Sequence, residues 1–165
     1  MSRRALTAAQ VVLLLVLLVI AGFAQSSGSS SVGTWKLDLS RSSFKGEAKG
    51  MTPPAYEQLV VTTDEPGALK WKLVGAGADG SSWSSSYDGP IDGKYHPLVR
   101  GDGERTIAYT RVPGGLTWIE KDGSGKVFRI GSNHLSADGN TLTIQGTMQQ
   151  ANGRAEFVSV FTRVQ

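Results

Sequence analysis

Residues 32 to 39 read Val-Gly-Thr-Trp-Lys-Leu-Asp-Leu, and this stretch decides the fold of the chain. Polar and apolar side chains alternate along it, with Trp35 and Leu37 on the apolar face. An alternation with a period of two predicts a β-strand that buries one face. Because Trp35 lies on that face, we expect the strands that follow to enclose its indole.

A series of short runs rich in Val, Ile, Thr and aromatic residues follows, separated by turns that often contain Asp-Gly or Asn-Gly. These pairs supply the positive φ angles that tight hairpins need. Consecutive strands joined by hairpins predict an all-β fold, an antiparallel up-and-down β-barrel of about 8 to 10 strands. The predicted strands after the first are 56–63, 68–74, 81–87, 105–112, 116–121, 126–134, 141–148 and 154–164, with a short additional piece at 95–99.

The last predicted strand is apolar on both faces, with Phe157 and Phe161 on one side and Val158 and Val160 on the other. A strand without a polar face is poorly suited to a sheet edge. We therefore expect it to pair on both sides and to close the sheet. Residues 41 to 55 contain two glycines and two prolines and predict an irregular excursion between the first two strands.

The N-terminus has the pattern of a secretory signal. Arg3 and Arg4 precede an apolar run from Val11 to Ala21, and small residues follow. This pattern predicts a signal peptide over 1–24, a flexible Ser/Gly spacer over 25–31 and a β-barrel domain over 32–165. The protein would then be exported, to the periplasm or outside the cell. The alternative is an uncleaved membrane anchor, which would give the protein its only contact with a membrane.

Charge and cysteine content narrow the possible partners. The chain has 17 Lys and Arg against 14 Asp and Glu, and loss of Arg3 and Arg4 with the leader would leave a net charge of about +1. This balance does not favour nucleic-acid binding, which needs clustered basic charge. With no cysteine, an exported domain must be stabilised by its core rather than by disulfides. The oligomeric state is left open.

Gly33-Thr34-Trp35 in the first strand, about nine antiparallel strands and Arg163 in the last strand resemble the calycin superfamily of lipocalins and fatty-acid-binding proteins. The resemblance implies that Trp35 plugs one end of a barrel and that Arg163 packs on its indole. The segments 35–44, 87–89 and 135–143 are also similar to exported lipocalin-like bacterial proteins of unknown function. The second lipocalin motif, Thr-Asp-Tyr, is absent.

Strand parity places a set of aromatic and basic residues toward the barrel interior, where they are the candidates for ligand binding. The resemblance implies an apolar ligand whose charged head could meet an inward arginine. Alternatively, the arginines face water at the strand ends, or Glu120 neutralises one of them internally. The tryptophans, in turn, could simply be core residues. The candidates are Trp71, Trp83, Tyr87, Tyr109, Arg111, Trp118 and Arg129.

No motif predicts catalysis, a metal or a cofactor. His96 and His134 lack metal-ligand spacing, and no Gly-x-Ser-x-Gly, phosphate loop or cysteine nucleophile occurs. We expect a non-enzymatic protein that binds a small apolar or amphipathic molecule. The main alternative is a structural or protein-binding envelope module, such as an enzyme inhibitor, with a filled barrel that acts through its loops. A cofactor-free isomerase or hydrolase would need a histidine beside a carboxylate in the barrel mouth.

Overall fold

The computed structural model describes residues 30–46, 53–150 and 153–164. The predicted signal peptide and most of the predicted spacer therefore lie outside the described residues. The described part has one 3-10 turn, Leu39–Arg41, and otherwise consists of strands and their connections. Its strands are β1 Gly33–Leu37, β2 Ser43–Gly46, β3 Pro54–Glu65, β4 Ala68–Gly77, β5 Ser82–Pro90, β6 His96–Arg100, β7 Arg105–Val112, β8 Gly115–Asp122, β9 Val127–Leu135, β10 Thr141–Gln150 and β11 Gly153–Arg163.

Ten of these strands form a closed antiparallel barrel. β3 to β11 pair in chain order, and β1 pairs with both β3 and β11. Trp35 lies opposite Arg163 and Leu37 opposite Phe161 where the first and last strands meet. The all-β up-and-down barrel predicted from the sequence is confirmed, as is the closing role of the last strand. No helix in the described ranges is long and apolar enough to cross a membrane.

β2 is an eleventh strand that the sequence reading missed. It pairs with residues 155–158 of β11, whereas β1 pairs with residues 161–163, so the two short strands lie one after the other along the same edge. The 3-10 turn offsets them, and the Asp38 side chain caps it by accepting a hydrogen bond of 3.0 Å from the Ser40 amide. The prediction of irregular structure from residue 41 was therefore wrong for residues 43–46. Phe44 packs against the barrel core.

Gly33, at the start of β1, lies directly beneath the Arg163 guanidinium. Its φ of +148° disfavours an L side chain, and a Cβ atom there would collide with the Arg163 guanidinium. The glycine of the Gly-Thr-Trp stretch thus lets the cation lie over the end of the barrel.

Inside, the core is formed by side chains from nearly every strand, including Leu59, Leu69 and Phe161.

Candidate ligand-binding site

The barrel interior contains a cavity of about 470 Å³. Most of its wall is aliphatic or aromatic, and polar groups are few. This size and lining are typical of sites that hold a small molecule. Aliphatic residues of the wall include Leu59, Leu69, Leu98, Ile107, Leu116 and Leu142.

Five of the seven interior candidates line this cavity, namely Trp71, Tyr109, Arg111, Trp118 and Arg129. Tyr87 and Trp83 are not part of the wall. Tyr87 is buried behind it, where its hydroxyl donates to the Pro90 carbonyl oxygen at 2.7 Å and its ring packs 5.1 Å from that of Tyr109. Inward parity therefore does not by itself distinguish the cavity wall from the packing at its margins, and a ligand contact of these two residues stays a prediction.

Trp71 and Tyr109 form a hydrogen-bonded pair on the cavity wall. The Trp71 indole Nε1 donates to the Tyr109 hydroxyl oxygen at 3.1 Å. Tyr109 is 3% exposed, and burial raises the pKa of its phenol well above the usual value. The hydroxyl is therefore neutral and keeps its proton, which it can donate to another group.

Contacts with β9 fix the position of Trp118 in the cavity wall. Its Nε1 donates to the Asn133 side-chain oxygen at 2.9 Å. Its ring lies over Gly131, the residue opposite it in the ladder, where a Cβ atom would collide with the indole. Phe157 stacks beside the indole with ring centroids 6.4 Å apart. A glycine opposite a tryptophan thus creates the space for the ring, a pairing that sequence parity alone did not reveal.

One end of the barrel holds a cluster of charged side chains, and we call it the arginine end. It is formed by the end of β6, the start of β7, the end of β8 and the start of β9. Glu120, 0% exposed, accepts hydrogen bonds from Arg129 at 2.7 Å from Nε and 2.5 Å from Nη2. Arg100 and Arg105 approach its other oxygen at 3.9 and 3.6 Å, and both contact Asp102. Glu120 Oε1 and Arg105 Nε have no hydrogen-bond partner in the described residues. Internal neutralisation of an arginine by Glu120 is therefore the arrangement found.

Glu57 and Trp83 lie at this same end. The Trp83 indole Nε1 donates to Glu57 Oε1 at 3.3 Å. Burial raises the pKa of the Glu57 carboxyl to about 7, against the opposing effects of this hydrogen bond and of Arg129. Nothing in the sequence singled out Glu57, because its environment depends on strands β5 and β9, which are distant in the chain.

At the opposite end of the barrel, which we call the indole end, Trp35 and Arg163 pack against each other. Trp35 is 0% exposed, and its Nε1 donates to the Ser31 carbonyl oxygen at 2.8 Å. The Arg163 guanidinium lies 4.2 Å from the indole centroid, a cation–π contact. It also donates to three backbone carbonyl oxygens, those of Gly139, Val32 and Ser30, at 2.8, 2.6 and 3.2 Å. The arginine thus connects the first strand, the β9–β10 connection and the segment before the barrel.

A second set of contacts crosses the indole end beside the cavity. It is formed by three residues that we call the strap, namely Ser31, Asp64 and Arg111. Arg111 Nη2 donates to Asp64 Oδ1 at 2.8 Å and to the Glu65 carbonyl oxygen at 2.7 Å. Asp64 Oδ2 accepts from the Ser31 amide and hydroxyl at 2.9 and 2.6 Å. Burial opposes ionisation of Asp64, but these hydrogen bonds and Arg111 outweigh it and lower the pKa of the carboxyl. Ser31, which falls in the predicted spacer, is thus fixed to the barrel.

The described residues contain no group of three or more side chains suited to hold a metal ion. His96 lies 2.9 Å from Asp92 Oδ1, and neither it nor His134 lines the cavity.

The residues that sequence analysis missed are mainly partners of the residues it found. Asp64 stands in a predicted turn, and Asn133 shares a strand with Arg129 without any distinguishing pattern. Only Glu120 carried a signal, because it has the same parity as Trp118.

No protein-family model and no curated protein matches this chain. Among solved structures, a mutant of the fluorescent protein UnaG is similar, with a TM-score of 0.53 and 16% identity over 81% of this chain and 96% of that one. Fatty-acid-binding protein 1 of Echinococcus granulosus is similar with a TM-score of 0.50 and 18% identity, over 81% of this chain and 97% of that one. At these identities the likeness concerns the fold alone. This chain therefore shares the closed antiparallel β-barrel fold of these two structures.

Proposed function

We propose that this protein binds one small apolar or amphipathic molecule inside its barrel and does not catalyse a reaction on it. The observation that carries the proposal is the internal cavity of about 470 Å³ with its largely aliphatic and aromatic wall. Removing an apolar ligand from water into such a wall is favourable in proportion to the area buried. The similar fatty-acid-binding protein supports the proposal by analogy of fold.

The alternative, a filled barrel that acts only through its loops, fits the cavity poorly. A barrel interior packed by its own side chains would leave no space of this size, because protein cores are close-packed. The polar groups on the wall also favour a ligand. They form a few fixed hydrogen bonds within an otherwise apolar surface, the pattern that orients small molecules.

A fluorescence titration with N-phenyl-1-naphthylamine, an uncharged apolar dye, tests the proposal. We expect saturable binding of one dye per chain. Leu69→Trp, which fills the cavity from its wall, should abolish binding, whereas Ile119→Trp on the exposed outer face should leave it unchanged. Equal binding by the two folded variants, or no binding by the wild type, would contradict the proposal.

Export remains part of the proposal on sequence grounds, with cleavage after Ala24 and delivery to the periplasm or the medium. N-terminal sequencing of the protein recovered from its own cells would test it. A mature chain that begins at Gln25 supports export by cleavage, and an intact Met1 end in the membrane fraction supports the anchor instead. Native mass spectrometry of the same material would reveal a natural ligand as added mass.

A further inference from the structure

We infer that the cavity selects an uncharged molecule with a hydrogen-bond acceptor, such as a ketone, ester or amide, over a carboxylate of the same shape. The inference rests on the proposed function and specifies the class of ligand. It follows from how the charged and polar groups of the wall are already paired.

Arg129 enters the wall with its charge balanced. Two of its nitrogens bind one oxygen of Glu120, which is fully buried directly behind it. Arg100 and Arg105 lie outside the cavity wall and share Asp102, so the cluster has three arginines for two carboxylates. Arg129 makes the shortest contacts with Glu120, and the excess positive charge therefore lies with the two arginines outside the wall. An incoming carboxylate would therefore meet a guanidinium already neutralised by a carboxylate and would have to displace it or share it.

Arg111 is paired as well. Asp64 holds it at 2.8 Å and the Glu65 carbonyl oxygen at 2.7 Å, and both acidic residues line the cavity beside it. Arg111 and Arg129 are the two basic residues of the wall, so each cation there has a partner. Burying an anion without a free counter-charge is costly, and the anion would also approach the two acidic side chains.

The uncharged hydrogen-bond donors of the wall, in contrast, are available to a ligand. The Tyr109 hydroxyl accepts a hydrogen bond from Trp71, and no acceptor for its own proton occurs among the described residues. Asn133 accepts from Trp118 through its oxygen, which leaves the two N–H groups of its amide for another partner. Both residues line the cavity. A ligand carbonyl would satisfy such a donor, whereas a purely hydrocarbon ligand would leave it unpaired.

Three probes that share a naphthalene ring test the inference on the full chain by calorimetric or fluorescence titration: 2-ethylnaphthalene, 2-acetylnaphthalene and 2-naphthoate. We expect the ketone to bind most tightly and the carboxylate to bind at least about tenfold more weakly than the ketone. Tyr109→Phe should weaken binding of the ketone by about three- to tenfold, and it should not weaken binding of the ethyl compound, which leaves the hydroxyl unpaired in the wild type.

Removal of the counter-charge of a wall arginine should reduce the preference for the ketone. Asp64→Asn removes the counter-charge of Arg111 and should raise the affinity for 2-naphthoate by about tenfold relative to the ketone, whereas Glu156→Gln on the exposed surface should change neither. Wild-type protein that prefers 2-naphthoate would overturn the inference and leave the proposed function intact. Failure of the folded protein to bind any of the three probes would contradict the proposed function itself.

Discussion

Both ends of the barrel contain arginine side chains, but the groups that contact these arginines differ between the two ends. At the indole end, Arg163 lies over a tryptophan and donates to backbone carbonyls, and no side-chain carboxylate of the described residues pairs with it. At the arginine end, three arginines surround a buried carboxylate. The first arrangement joins segments distant in sequence, whereas the second joins neighbouring strands. The cation at the indole end therefore stabilises closure of the barrel, and the cations at the arginine end stabilise each other's burial through Glu120.

The largest effect should come from removing the carboxylate at the arginine end. Glu120→Gln leaves Arg129 and its neighbours without their central counter-charge, and we expect the free energy of unfolding to fall by about 3 to 5 kcal/mol in urea titrations. Glu156→Gln, which removes an exposed partner of Arg154, should cost no more than about 0.5 kcal/mol. Similar losses in the two variants would show that the cluster does not depend on its buried carboxylate.

At the indole end, Arg163→Met should lower the free energy of unfolding by about 2 to 4 kcal/mol, because it removes the cation–π contact and leaves three carbonyl oxygens without their donor. The loss should be detectable by thermal or urea unfolding. Arg154→Met is the matched control in the same strand, since Arg154 is exposed. If Arg163→Met is as stable as the control, closure of the barrel does not depend on the cation over the indole.

Glu57 makes the arginine end sensitive to pH. Its pKa in the folded state is about 7, above that of an unfolded chain, so the folded state holds its proton more tightly and loses stability as pH rises from about 4.5 to 7. Glu57→Gln should therefore stabilise the protein at pH 8 by about 1 to 3 kcal/mol and have little effect at pH 4. Urea titrations at the two pH values, with Glu104→Gln as an exposed control, provide the measurement. A stabilisation that is the same at both pH values would contradict the assignment.

The smallest effect should appear in the strap. Asp64→Asn weakens the contacts that hold Ser31, whose carbonyl oxygen accepts the indole proton of Trp35. We expect this indole proton to exchange with solvent about five- to tenfold faster, as observed by NMR, because a net stabilisation of about 1 kcal/mol is lost. Exchange of the Trp118 indole proton, on the other side of the cavity, should not change. Unaltered exchange of the Trp35 proton would show that the strap does not hold Ser31 in place.

The fold could be predicted from the sequence because its signals are local. Alternation in each strand and glycine-containing turns between strands predict the meander, and the two apolar faces of residues 154–164 predict its closure. β2 was missed because it is short and because its pairing with β11 depends on the 3-10 turn that precedes it.

The site was predictable only in part, because strand parity tells which face of the sheet a side chain lies on and not whether the side chain reaches the cavity. It placed Trp71 and Trp118 on the inner face, and both line the cavity. Parity could not separate these two residues from Trp83, whose indole Nε1 donates a hydrogen bond to Glu57 at the arginine end. The pairing of Arg111 with Asp64 joins the ends of β7 and β3, which are not neighbours in the sheet, so it has no sequence signal.

The central claim, that the barrel interior receives a ligand, is tested most directly by NMR contacts between bound N-phenyl-1-naphthylamine and labelled methyl groups. We predict nuclear Overhauser effects from the dye to Leu69, Leu116 and Leu142, which line the cavity. Effects confined to Ile119 and Ile130, which are exposed on the outer face, would place the dye on the barrel surface and contradict the account.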